Sequence, residues 1–185
     1  MKRSIIAVAV LSSLFMSAGN AADVENAMGT LIIHGKVVGT TCQFLSGSDN
    51  ATIEMSEIGI DQFNNVQVDA PVTTYSNTTS LPLKVKCEVG VKPPRITFSS
   101  TQFKGAHLNI TRNIGDAKDV GFAVFYGQEA STDNQITGNK SIELKPSENK
   151  NGEYDLHFTA QYAKAGDDVR KGGVNSTITM TVVAD

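Results

Sequence analysis

Three histidines, two cysteines and an adjacent pair of aspartates are the residues of this chain best suited to chemistry. His34, His107 and His157 lie far apart and fall on different predicted strands. None belongs to an H-x-H or H-E-x-x-H pattern, the spacings that place two imidazoles on one metal. Asp167 and Asp168 sit in a polar run with Lys164, Arg170 and Lys171, which reads as a charged surface turn. There is no G-x-S-x-G and no Gly-rich loop opening a helix. Cys42 and Cys87 lack the C-x-x-C spacing of a redox pair and are too few for a zinc site made of cysteine alone. These residues point to no catalytic centre, no metal and no cofactor, so function is expected to lie in shape.

The elements that must hold such a shape come from 185 residues, enough for one domain of ordinary size. With 40% hydrophobic and 19% charged residues, the chain has the composition of a globular domain. A net charge of -3 excludes a generally basic nucleic-acid binder, so no nucleic acid is expected as a partner. Residues 1–21 have the three parts of a secretory signal: Lys2 and Arg3, an apolar stretch from Ile5 to Met16, then Ser17, Ala18, Gly19, Asn20 and Ala21. The apolar stretch is shorter than the roughly 20 residues of a membrane-spanning helix. Cleavage after Ala21 leaves 164 residues with 14 basic and 19 acidic side chains, a net charge of -5. Export leads to an oxidising compartment, where a disulfide between the only two cysteines, Cys42 and Cys87, is the default.

The mature chain alternates with period two almost throughout, the mark of half-buried strands. Leu31, Ile33 and Val37 share one face. Leu81, Leu83, Val85 and Cys87 alternate with Pro82, Lys84 and Lys86, the lysines facing solvent. Ile96 and Phe98 begin another strand, with Pro93 and Pro94 at its edge or entry. Val120, Phe122, Val124 and Tyr126 form a further strand with apolar residues on both faces. Leu156, Phe158, Ala160 and Tyr162 read as one run, and Val174, Ile178, Met180, Val182 and Ala184 as the last. Turn-rich stretches separate them, and Ser56 to Phe63 is the one candidate for a helical turn. Many short strands with turn signals between them imply an antiparallel sandwich or barrel. Asn50, Asn77, Asn109 and Asn175 open N-x-S/T triplets, which matter only in a eukaryotic host.

The two ends stand out. Gly29 to Val38 and Val174 to Asp185 are long, alternating and nearly uncharged, with Lys36 the one Lys and no Pro to blunt an edge strand. They are either interior strands of a closed sandwich or edges meant to be used between chains.

The order and spacing of these segments resemble the pilin subunits of chaperone–usher fimbriae, the type 1 fimbrial family, over the whole mature chain. Gly29-Thr30-Leu31-Ile32-Ile33-His34-Gly35-Lys36-Val37-Val38 running into Thr40-Thr41-Cys42 resembles the family's N-terminal arm and first cysteine. Leu83-Lys84-Val85 before Cys87, Asp119-Val120-Gly121-Phe122-Ala123-Val124, and Phe158-Thr159-Ala160-Gln161-Tyr162 are similar to its second-cysteine, central and penultimate strands. Gly172 stands fourteenth from the C-terminus, where the family places a glycine. Ala184 departs from the pattern, which has an aromatic residue in the penultimate place.

The resemblance implies an all-β fold, an incomplete immunoglobulin-like β-sandwich lacking its last strand, over residues 39–185, preceded by a donor-strand arm over 22–38. It implies Gly29, Leu31, Ile33, Gly35 and Val37 as the donor row. It implies Gly172, Ile178, Met180, Val182 and Ala184 as the acceptor groove and chaperone-binding strand. The expected partners are a periplasmic pilus chaperone, an outer-membrane usher and further copies of this or neighbouring fimbrial subunits. The expected destination is a cell-surface fimbrium supporting adhesion. Family adhesins carry an extra receptor-binding domain before the pilin domain, whereas some 20 mature residues precede Cys42 here. A minor adaptor or adhesive subunit, or a secreted carbohydrate-binding sandwich, is the alternative reading.

Overall fold

The computed structural model describes residues 29–35, as a backbone path, and 42–88, 93–145 and 148–183. The strands are β1 (Gly29–Gly35), β2 (Cys42–Phe44), β3 (Asn50–Met55), β4 (Ala70–Thr78), β5 (Leu83–Cys87), β6 (Arg95–Phe98) and β7 (Phe103–Lys104). They continue with β8 (Ile110–Thr111), β9 (Val120–Tyr126), β10 (Ile142–Glu143), β11 (Asn149–Lys150), β12 (Glu153–Leu156), β13 (Phe158–Lys164) and β14 (Ser176–Val183). The fold is all-β, an immunoglobulin-like sandwich. The largest sheet runs β10-β6-β14-β1-β3, with β11-β12-β5-β2 and β4-β13-β9 making up the other large sheets. β7 and β8 form a separate two-stranded pair. The signal segment, residues 22–28, Val37, Val38 and Ala184 lie outside the described residues.

Alternation in sequence becomes alternation in burial. Along β5, Leu83, Val85 and Cys87 are buried, while Lys84 and Lys86 reach out to Asp155 and Glu153 of β12 at 3.6 Å and 3.1 Å. Pairs this exposed contribute little stability, and their role is to keep the outer face wet. β9 and β13 are buried nearly along their whole length because both faces are covered. Phe122, Val124, Phe158, Ala160 and Tyr162 join the main core. Ile110, Ala123, Phe125 and Ala163 form a second cluster on the reverse face. That layer sits close: a Cβ on Gly121 would meet the Thr111 carbonyl oxygen at 2.3 Å, so only glycine fits.

Three expectations are corrected. The run Leu156 to Tyr162 is not one strand. It breaks at His157, leaving β12 paired with β5 and β13 paired with β4 and β9. Leu81 does not share the buried face of Leu83. It is 76% exposed, in the turn that carries the chain from one sheet to the next. His107 and His157 are not strand residues: one lies in a turn and the other at the sheet junction. The candidate helical turn does form, as a single 3-10 turn at Ile60–Phe63 that buries Phe63. Pro93 and Pro94 lead into β6, as an element entry requires.

β3 and β4 are strands that periodicity did not single out. β4 is nine residues long yet buries only Val72. Among the described residues it pairs only with β13, and its register slips between Gln161 and Ala163. Pro71 is tolerable there because an edge strand has one ladder face without partners.

Candidate functional site

The site is built around β14. Ser176, Ile178, Met180 and Val182 are at most 1% exposed, and Thr177, Thr179, Thr181 and Val183 alternate with them on the other face. β14 pairs antiparallel with β6, placing Met180 opposite Phe98 and Val182 opposite Ile96. The β-branched row gives the strand its stiffness, and the inner row supplies the apolar floor.

The entry to β14 is held by hydrogen bonds that do not belong to a sheet ladder. Thr111 Oγ1 and Ser176 Oγ lie 2.7 Å apart in the core, and Ser176 Oγ donates to the Arg112 carbonyl at 3.0 Å. Thr111 Oγ1 also accepts the Phe122 amide at 3.0 Å, tying β14 to β9. Further along, the Thr179 amide donates to Gln102 Oε1 at 2.6 Å, and Gln102 Nε2 donates to Thr179 Oγ1 at 3.0 Å. A glutamine side chain there takes the place of a strand partner just before the β6 ladder begins.

On its other side β14 meets β1. The pairing is parallel, with Leu31 opposite Ser176, Ile33 opposite Ile178 and Gly35 opposite Met180. The second edge of β1 pairs antiparallel with β3, with Gly29 opposite Met55, Leu31 opposite Ile53 and Ile33 opposite Ala51. The backbone of the N-terminal arm therefore lies between β14 and β3 of its own chain. Of the expected donor row, Gly29, Leu31, Ile33 and Gly35 occupy these register positions, and Val37 lies outside the described residues. Of the residues expected to line the groove, Ile178, Met180 and Val182 are buried on the inner face of β14. Ala184 lies outside the described residues. Ile53, Met55, Ile96 and Phe98 are buried beside them on β3 and β6. The alternation Ala51, Ile53, Met55 carried that signal in the sequence.

Gly172 sits in the loop before β14, not on the strand. A Cβ there would meet the Ala117 amide nitrogen at 2.5 Å. The loop is pinned next to it, where the Gly173 amide donates to Asp116 Oδ1 and the Ala117 amide donates to the Gly173 carbonyl. Gly172 and Val174 line a cavity of about 250 Å³ together with Ile58, Phe63, Val120 and Tyr162. The Tyr162 hydroxyl donates to the Ser56 carbonyl at 2.9 Å, and burial pushes its pKa up. The charged turn expected around Asp168 is present. Hydrogen bonds from Arg170 and Lys118 hold the Asp168 carboxyl down at about 2. Cys42 and Cys87 form a disulfide between β2 and β5, directly opposite one another in register. Among the described residues no cluster of three His, Cys, Asp or Glu could hold a metal ion.

What this arrangement offers is backbone pairing along a row of buried apolar residues. Comparison with known proteins shows the family. The family model described as "Fimbrial protein" matches residues 31–184. The chain is 32% identical over 194 aligned positions to a fimbrial-like protein of Escherichia coli strain K12, YehD, and the alignment spans all of both chains. Among solved structures it is similar to the P pilus adaptor subunit PapF, at 15% identity and a TM-score of 0.40, over 79% of this chain and 97% of that one. With a family match over most of its length and a full-length relative, this chain belongs to the fimbrial protein family.

Proposed function

We propose that this protein is a structural subunit of a chaperone–usher fimbria and polymerises head to tail by donor-strand exchange. The observation that supports this most is the place of β1. A nearly uncharged arm at the start of the chain lies, by backbone pairing alone, between β14 and β3, over a floor of buried apolar residues. A groove that one strand fills can be filled by the same strand from another copy. Main-chain hydrogen bonds then give affinity and the alternate positions give specificity, as in strand addition generally. The contact is heterologous: one chain's arm meets another's groove. It does not close, so it propagates a filament. In this reading a periplasmic chaperone lends a strand to the groove first, the usher guides exchange at the outer membrane, and the fimbrium at the cell surface supports adhesion.

The test is paired. Deleting residues 22–37 should leave the groove intact and the chaperone-bound yield in the periplasm near normal. The truncated chain should still fail to join a preceding subunit, so SDS-resistant ladders at the cell surface disappear. Normal ladders from the truncated chain would defeat donor-strand exchange. Loss of the chaperone complex would mean that the segment is an ordinary interior strand.

A further inference from the structure

We propose that Asp69 and Asn109 hold a hard divalent cation of the calcium type, which clamps the entry of β4 to the loop between β7 and β8. The site uses no residue of β1 or β14 and is independent of the donor-strand reading.

Asn109 carries an amide oxygen without a partner. The residue is only 9% exposed, and its Oδ1 is buried and accepts no hydrogen bond from the described residues. Its Nδ2 donates to the Asp69 carbonyl at 3.0 Å. That bond fixes which way the amide faces, because turning it over would set two carbonyl oxygens 3.0 Å apart. A buried acceptor of this kind calls for a cation or a hydrogen-bond donor.

The oxygen faces a space that it shares with a carboxylate. A Cβ on Gly105 would lie 3.1 Å from Asn109 Oδ1 and 2.5 Å from Asp69 Oδ1. Both oxygens therefore flank the same gap, beside a residue that has no side chain to fill it. Asp69 Oδ2 accepts the Ala106 amide at 3.0 Å, which holds the carboxylate in place and leaves Oδ1 available. Among the described residues Asp69 forms no ion pair with a lysine or arginine, so its charge is not neutralised there. The backbone keeps the frame in shape. The Asp69 amide donates to the Lys164 carbonyl at 2.8 Å, and the Gly138 amide donates to the Leu108 carbonyl at 2.9 Å. Asp69, Gly105 and Leu108 all adopt left-handed backbone, with φ of 66°, 90° and 50°. Two of the three are not glycine, and such a conformation persists only where its surroundings impose it.

The donor atoms select the ion. A carboxylate and an amide are hard oxygen ligands, which suit calcium or magnesium better than metals that prefer nitrogen or sulfur. Magnesium demands a near-ideal octahedron at about 2.0–2.1 Å, whereas calcium takes about six to eight oxygens at about 2.3–2.6 Å in flexible geometry, waters included. Asp69 is half-buried and Ala106 is exposed, so water reaches the site and completes the shell. With one carboxylate, the site belongs at the weak end of protein calcium sites, with a Kd of about 0.1–1 mM.

The test is a calcium titration of the mature chain in chelator-treated buffer, followed by amide NMR of nitrogen-labelled protein. The backbone amides of Gly105 and Ala106 and the side-chain amide of Asn109 should shift saturably, with half-saturation at about 0.1–1 mM. At about 10 mM calcium the unfolding constant in urea should fall about tenfold or more relative to chelator. Asp69→Asn keeps the size of the side chain and an oxygen for the Ala106 amide. It should match wild type in chelator and lose both effects of calcium. No saturable shift up to about 20 mM calcium would mean that a water molecule serves Asn109 Oδ1, and would overturn the site. An undiminished response in Asp69→Asn would overturn it as well. Magnesium binding as tightly as calcium would overturn the choice of ion. Should Asp69→Asn fail to fold, the wild-type spectra still decide, since saturable shifts confined to residues other than 69 and 105–109 place the ion elsewhere.

Discussion

Replacing Met180 by Asp places a carboxylate at the middle of β14, where the wild-type side chain has no exposure to water. Two terms set the loss. Removing a fully buried methionine forfeits about 2 kcal/mol of apolar burial. Keeping the new carboxyl neutral at pH 7, against an unfolded-state pKa of about 3.9, costs about 4 kcal/mol more. Together these approach the whole of an ordinary domain's stability, about 5–15 kcal/mol. The charge term has a signature that packing lacks. The buried Asp has its folded pKa raised, so its penalty is full at pH 7. It fades as pH falls toward the unfolded value, where both states are protonated. Urea unfolding followed by far-UV circular dichroism, at pH 7 and pH 4, should show a deficit of about 6 kcal/mol shrinking to about 2. Met180→Leu, which nearly conserves volume, should lose less than about 1.5 kcal/mol at both. A Met180→Asp variant within about 1 kcal/mol of wild type, or a deficit unchanged between the two pH values, would show that residue 180 reaches solvent and refute the groove floor.

Other outcomes follow from named contacts. Mass spectrometry of the non-reduced protein should find no free thiol. Replacing both Cys42 and Cys87 by Ser should cost about 4 kcal/mol in urea unfolding, as expected for a crosslink spanning 45 residues. Thr111→Val leaves the buried Phe122 amide and Ser176 hydroxyl each without one partner, and should lower stability by about 1–3 kcal/mol in the same assay. Tyr126 donates to Glu148 at 3.0 Å, and burial, followed by the Glu148 charge, pushes its pKa up. A phenol that holds its proton more tightly when folded adds stability below pH 10 that is lost as pH rises beyond it. Tyr126→Phe should therefore flatten the alkaline limb of a stability–pH curve above pH 10, and an unchanged limb would disprove the contribution.

Fold and site were legible to different depths along the chain. β5, β6, β9 and β14 could be read because each sets an inner apolar row against an outer row or covers both faces. β4 could not, because an edge strand with one buried residue, Val72, carries almost no period-two signal. β3 showed a short alternation, but only its pairing with β1 sets Ile53 and Met55 opposite Leu31 and Gly29. Leu81 misled because alternation continues through a turn as easily as through a strand. Gln102 and Ser176 gave no signal: their importance lies in hydrogen bonds to residues 77 and 65 positions away.

By itself the sequence determined that the chain is all-β, that its two cysteines pair, and that both ends read as nearly uncharged strands. Those properties depend on residue type and on spacing along the chain. Only the tertiary structure decided that β1 runs parallel to β14, that Ile33 stands opposite Ile178, and that β3 closes the other side. An alternating strand reads alike in both directions and fits any even shift of register. Choosing among these depends on three strands meeting in space, which no local pattern encodes.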